Sequence, residues 1–268
     1  MRELFLKANL VSPGSLTKCL CEAEMTETDP IPKSILKDLI ENAETAKEIN
    51  VPMCQDTGMA VVFIEIGHHV QLTGRFLRDA VDLGVRQAYV GGDLRLSVVR
   101  DPLRRINTGD NTPAILHVDF VSGDRIKIIC APKGFGSENS SAIRMFDPSA
   151  SVETIENFVA DTVVKAGGNP CPPVVVGVGL GGDFEYCAKL AKRALTRELG
   201  EPNPDEFYGD FERNCLAKIN ASGVGPQGLG GITTALAVHA DAYPTHIAGL
   251  PVAVNICCHV YRHETAII

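Results

Sequence analysis

The sequence is short of positive charge: 25 Lys and Arg against 33 Asp and Glu leave a net charge of −8 over 268 residues. A general grip on nucleic-acid phosphates or on an anionic membrane surface needs the opposite balance, so both are set aside as main activities. Any anionic ligand must instead meet a local group of cations. The chain also lacks any run near the roughly 18–20 apolar residues that cross a bilayer. Its opening, MRELFLKANLVSPGS, holds no apolar stretch of signal-peptide length, and a cytoplasmic protein is expected. No repeat, low-complexity tract or long charge block is present, which excludes repeat architectures and disorder. What is there, 45% hydrophobic and 22% charged residues, is ordinary globular composition. With no visible linker, the expectation is one compact α/β domain spanning 1–268, with mixed β-sheets and surrounding helices.

Nine cysteines stand out. An odd number without export signals argues against a disulfide framework and for thiols kept reduced. The glycines and prolines are clustered, which points to tight backbone turns close to a site.

Residues 33–49 carry Ile35, Leu36, Leu39, Ile40 and Ala43 at helical spacing. After the Cys54-Gln55-Asp56-Thr57-Gly58 turn, Met59 to Ile66 reads as a strand and Phe76 to Tyr89 as a helix. Residues 115–121 and 125–130 both alternate, with Ser122-Gly123-Asp124 between them, and predict a β-hairpin. A helix is expected from Ser151 to Ala166, stopped by Gly167-Gly168, followed by a short buried strand, Val174 to Gly177. The string Gly177 to Gly182 matches G-x-G-x-x-G, the phosphate-binding turn of dinucleotide folds. That reading also needs a second parallel strand ending in an acid about 20 residues on. Residues 200–206 are instead the proline-rich GEPNPDE, so a glycine turn that admits a close neighbour is favoured over nucleotide binding.

Periodicity sorts the thiols. Cys130, Cys187 and Cys215 fall on apolar faces and read as small core hydrophobes, while Cys19 and Cys21 stay unassigned. Cys54, Cys171 and the Cys257-Cys258 pair lie where regular elements break, the places where ligands bind. Prolines on either side of Cys171 restrict its backbone and fix its direction. Three thiolates from separate turns suit Zn²⁺ or three irons of a [4Fe–4S] cluster, and no C-x₂-C spacing supports a zinc finger. Gln55 and Asp56 set an amide and a carboxylate beside the first thiol. Lys133 heads a second glycine turn, Gly134-Phe135-Gly136-Ser137-Glu138-Asn139, suited to a carboxylate or phosphate.

At these residues the sequence resembles the class I iron–sulfur fumarate hydratases, in particular the α subunit or N-terminal half of the family that also contains L-tartrate dehydratase. The resemblance runs from about residue 30 to 263. It rests on the joint order of Pro52 to Gly58, Asn107 to Pro113, Lys133 to Glu138, Asn169 to Pro173, Gly225 to Gly231, Thr245 to Val254 and Cys258-His259.

The resemblance implies a [4Fe–4S] cluster on Cys54, Cys171 and Cys258. Three ligands rather than four leave one iron open as a Lewis acid. It further implies that Asp56 takes part in proton transfer and that Gln55, Arg95, Gly136 and His246 line the substrate; on chemical grounds Arg95 would pair with a carboxylate bidentately and His246 would donate to the developing aci-carboxylate. Family members bring the catalytic base and further cations from a second, C-terminal part, so a separate β subunit and an assembly of two α and two β chains are expected. The turns KGFGSEN and THIAGLPVAVN look like the fumarase branch, which makes fumarate and malate the expected substrates and L-tartrate the alternative. Outside this class stand a nucleotide-binding protein using the 177–182 turn, and a non-catalytic scaffold with structural cysteines.

Overall fold

A computed structural model describes all 268 residues. In chain order the elements are α1 (Arg2–Leu10), α2 (Gly14–Thr26), α3 (Pro30–Glu48), β1 (Met59–Gly67), α4 (Leu77–Tyr89), β2 (Ile115–Val121), β3 (Ile126–Lys133), the one-turn α5 (Phe135–Glu138), β4 (Ala142–Phe146), α6 (Val152–Ala166), β5 (Val174–Gly182), α7 (Phe184–Ala194), α8 (Glu206–Asn220), β6 (Ala235–Thr245), β7 (Leu250–Cys257) and β8 (Glu264–Ile267). This is the expected α/β class, with two mixed four-stranded sheets. The chain forms two compact units, the first made of residues 1–12, 43–135 and 262–268, the second of 13–42 and 136–261.

In the first unit the strand order is β2-β1-β3-β8, with β1 parallel to β2 and antiparallel to β3. β1 takes the middle because its sequence, MAVVFIEIG, is apolar on both faces, and nearly all of it is buried. Phe5 of α1 and Val81, Val85, Ala88 and Tyr89 of α4 close over Ala60, Val62, Ile64 and Ile66 to make the core.

The hairpin expected from 115–130 is not formed. β2 and β3 are consecutive, but β1 lies between them, and its end enters the turn that joins them. Gly67 N donates to Arg125 O at 2.8 Å, and His68 N to Val121 O at 2.9 Å. A side chain at Gly67 would come within 2.5 Å of Gly123 O, so glycine is needed for this insertion. The most apolar strand takes two neighbours, and the more polar β2 is left at the edge.

In the second unit the order is β4-β7-β5-β6, with β5 parallel to β6 and antiparallel to β7. β5 runs on to Gly182, past the Gly177 end read from the sequence. Its glycines are part of a buried strand: a Cβ at Gly177 would lie 2.0 Å from Ala191 O, and one at Gly179 would lie 1.9 Å from Cys187 O. Their role is to let α7 press onto the sheet. Phe158 and Val159 of α6 and Phe211, Cys215 and Ile219 of α8 pack with Val176, Val178 and Val254 of the sheet in the main core. Ser151 caps α6 by accepting from Thr154 N, and Gly167 ends it at φ 56°.

Candidate functional site

Each unit carries one group of the residues that the sequence singles out. In the first unit, residues 52–58 form the loop that feeds β1. Its exit at Gly58 has φ +80°, and a Cβ there would meet the Lys133 and Pro132 backbone at 2.8–2.9 Å. Cys54 and Asp56 are partly exposed and Gln55 is exposed. The Cys54 Sγ lies 3.4 Å from Gln55 Oε1. The Asp56 carboxylate accepts from Gly58 N at 2.9 Å and from Phe135 N at 3.0 Å, which ties the loop to the glycine turn after β3. A Cβ at Gly134 would press to 3.3 Å from Asp56 Oδ2. Lys133, expected to face a ligand, is buried, and its ammonium donates to Gly134 O at 3.2 Å.

Two anchors of this loop carry no role in the sequence reading. Arg262, 5% exposed, donates from its guanidinium to the carbonyls of Asp56 and Pro132, and its buried Nη1 has no partner. Asn111, fully buried, accepts from Ser97 N at 2.7 Å and Val98 N at 3.1 Å and donates to Gly58 O at 3.1 Å. With Thr57 Oγ1 donating to Arg95 O at 3.3 Å, it fixes the segment that presents the exposed Arg95 next to the Cys54 loop. The 107–113 motif is thus a brace: Asn107 donates to Leu96 O at 2.8 Å, and Asp110 accepts from Arg86 and Thr112. Tyr89 donates to Thr57 O at 2.9 Å. Burial pushes its phenol far above the ordinary range, so it remains a donor. A lone arginine inside the apolar CCHVYRH stretch was the available signal for Arg262.

In the second unit Cys171 has φ 53° and an exposed thiol, while Cys258 follows the end of β7 and is half-buried. His259 N donates to Cys171 O at 3.2 Å, so the residue after Cys258 is bonded directly to the Cys171 backbone. The His259 ring Nδ1 lies 3.1 Å from the same carbonyl and 3.3 Å from Gln227 Nε2. Gln227 in turn donates to Pro172 O from its backbone at 2.8 Å and its side chain at 2.7 Å. This explains the Gly225 to Gly231 motif: Gln227 has φ 54° between Gly225 at φ 70° and Gly228 at φ 76°. Gly136 belongs to the same region, its missing Cβ pointing toward Asn169 O at 3.8 Å with no closer neighbour. Glu138 anchors that turn through Lys192 and through Asn255 Nδ2 at 2.9 Å.

Cys257, by contrast, packs in an apolar cluster with Leu16, Leu20, Val175 and Tyr261. Cys130, Cys187 and Cys215 are buried, as their apolar periodicity predicts. Desolvation raises all three thiols, Cys130 to about 12, which keeps them protonated and inert. No disulfide joins any of the nine.

His246 lies apart from the thiol pair of its own unit. It occupies the exposed turn between β6 and β7, where its ring accepts from Ala248 N at 3.1 Å and the neighbouring Thr245 bonds Gly182 O at 2.9 Å. Cys258 follows the other end of β7, whose eight residues span roughly 25 Å at about 3.4 Å each.

No three His, Cys, Asp or Glu side chains are grouped closely enough to hold a single metal ion. A [4Fe–4S] cluster makes a different demand, because each cysteine binds its own iron and the sulfurs stand apart. The donor chemistry fits: Cys54, Cys171 and Cys258 are the loop thiols left outside the cores, and two of them are held on adjacent, hydrogen-bonded segments.

The family model described as fumarate hydratase (fumerase) matches residues 1–267. A Methanocaldococcus jannaschii protein named provisionally as L(+)-tartrate dehydratase subunit alpha is 43% identical over 97% of this chain and 93% of its own length. The L(+)-tartrate dehydratase subunit alpha of Escherichia coli UTI89 is 30% identical over 94% of this chain and 84% of its own, and that of strain K12 is 29% identical over 96% and 85%. The chain belongs to the class I fumarate hydratase family of hydro-lyases, as an α-subunit member. No helix in it is long and apolar enough to cross a membrane.

Proposed function

We propose that this chain, acting over 1–268 as one α-subunit domain, belongs to a hydro-lyase that removes water from a C4 hydroxy-dicarboxylate, with L-tartrate as its substrate. The observation that carries the substrate is the name shared by relatives that match more than nine tenths of the chain, one at 43% identity. This reverses the order expected from the turn motifs, which favoured fumarate and malate. Those motifs include residues with structural tasks, Lys133 and Glu138 among them, and such residues do not distinguish one diacid from another.

Removing water from a hydroxy acid requires a proton to leave one carbon and hydroxide its neighbour. With tartrate the product is an enol that becomes oxaloacetate. Cys54, Cys171 and Cys258 would hold the [4Fe–4S] cluster, which when bound supplies an open iron as Lewis acid for the departing hydroxyl. Arg95, exposed on a braced loop, would clamp a carboxylate through two parallel hydrogen bonds. Gln55 would orient a hydroxyl or carboxylate oxygen, and the bare backbone at Gly136 would let substrate approach. Asp56, its carboxylate held by two backbone N–H groups, would take part in proton transfer. His246 enters as a substrate-lining residue on the family resemblance alone, and its imidazole would serve as a hydrogen-bond donor to developing carboxylate charge. A β subunit supplies the remaining cations and the base, in an assembly of two α and two β chains.

The test is to co-express the chain with its genomic neighbour, purify without air, and compare L-tartrate with malate and fumarate. A higher kcat/KM on L-tartrate is expected. Tartrate carries a hydroxyl that malate lacks, and a site built to bind a hydroxyl rejects the analogue without it by about 10⁴-fold or more. Preference for malate and fumarate would restore the second reading, which the KGFGSEN and THIAGLPVAVN turns favour.

A further inference from the structure

We propose that β2, the outer strand of the first unit's sheet, pairs antiparallel with β2 of a second copy of the chain and joins two four-stranded sheets into one of eight. The inference concerns assembly and does not depend on which diacid the enzyme uses.

An edge strand offers a row of backbone donors and acceptors, and proteins protect such rows with charge, proline, bulges or brevity. The other three edges here are protected. β8 has four residues and begins with Glu264, β4 carries Arg144, and β6 carries Asp241 and Pro244. β2 has seven residues, ILHVDFV, with no proline, and pairs with β1 without a register shift; its one carboxylate, Asp119, stands two residues from His117, which can meet it across an antiparallel pair. Four of its five apolar side chains reach solvent: Phe120 is 78% exposed, and Ile115, Val118 and Val121 are 36–41% exposed, while Leu116 packs against the core.

The backbone direction selects a register. Val121 O accepts from His68 N on the β1 side, so the odd-numbered residues of β2 turn their backbone groups toward β1. Leu116, Val118 and Phe120 therefore turn theirs outward. A two-fold axis through Val118 then sets Val118 against its own copy as a hydrogen-bonded pair, and Leu116 against Phe120. The same axis places Ile115 opposite Val121 and His117 opposite Asp119. Every cross-strand pair is apolar with apolar or imidazole with carboxylate, and no like charges meet. The heptapeptide is self-complementary in antiparallel register, which selects a second copy of this chain over an unrelated strand.

The test uses the full chain, under reducing conditions, with mass measured by light scattering after gel filtration. The wild type is expected to be a dimer, and Val118→Lys a monomer whose circular dichroism spectrum matches that of the wild type, with a melting temperature that no longer depends on protein concentration. Val118→Cys, whose Cα atoms would face each other at about 5.5 Å, is expected to give a cross-linked dimer on mild oxidation. Wild type and Phe120→Cys, oxidised in parallel, are not. A monomeric wild type, a dimer that survives Val118→Lys, or no added cross-link in Val118→Cys would overturn the proposal, as would a chain that associates only when the β subunit is present. Should Val118→Lys not fold, the cross-linking result decides alone.

Discussion

Replacing Asn111 with alanine removes two acceptor bonds and one donor bond from a fully buried position whose φ is 60°, a conformation that asparagine tolerates and alanine resists. The expected cost is about 3 kcal/mol, read by chemical denaturation, and a loss below about 1 kcal/mol would show that the brace is not needed. Glu27 holds the 231–234 segment of the second unit by accepting from Ile232 N at 2.8 Å while also accepting from Thr28 and Asp29. Burial alone would raise its carboxyl, but these backbone N–H groups, together with the nearby Lys33, hold it below the usual range. A lowered native value means that the stabilisation is full above the unfolded-state value near 4.3 and is lost as pH falls through the native one. Glu27→Gln should therefore melt lower than wild type at neutral pH, and the difference should shrink as the pH is taken below about 4; a constant difference would contradict the charge argument. Neither residue was marked by the sequence reading. Asn111 stood inside a quoted motif without a task, because a side chain that bonds three backbone groups in distant segments leaves no periodic trace.

At the scale of the element, β5 and α7 make the sharpest claim. Gly179→Ala would place a methyl 1.9 Å from Cys187 O, so α7 must move off the sheet. A loss above about 4 kcal/mol, or insoluble protein, is expected, whereas near-normal stability would mean the glycines serve something other than helix packing. The G-x-G-x-x-G match was legible as a close approach of chain segments, and its setting against GEPNPDE was enough to prefer that over a nucleotide. The helices at 30–48, 77–89 and 152–166 followed from apolar spacing and caps. The 115–130 hairpin did not hold, because local alternation reports that two segments are strands and says nothing about a third inserted between them. Only the apolar character of β1 on both faces hinted that it would claim the centre.

For the whole molecule, elimination on periodicity left four thiols, Cys54, Cys171 and the Cys257-Cys258 pair, and the choice of Cys258 as the third ligand is what the family resemblance implies. Cys257 and Cys258 separate for a physical reason, one ending an apolar strand and the other following it. The supports were not legible: Gln227 and His259 reach the Cys171 loop from 56 to 88 residues away in sequence, as differences of residue number show. Substrate choice was the least accessible, because the motifs that resemble the fumarase branch also carry structural roles. The account rests on Cys171 and Cys258 serving, with Cys54, a hydro-lyase centre. The most direct measurement is anaerobic turnover of L-tartrate by the chain co-purified with its β subunit, with Cys171→Ser alongside. Oxaloacetate formation by the wild type, and its loss in the variant together with the visible iron–sulfur absorbance, is the predicted result; full activity in Cys171→Ser, or no turnover of L-tartrate, malate or fumarate by a wild type that retains its iron and sulfide, would contradict it.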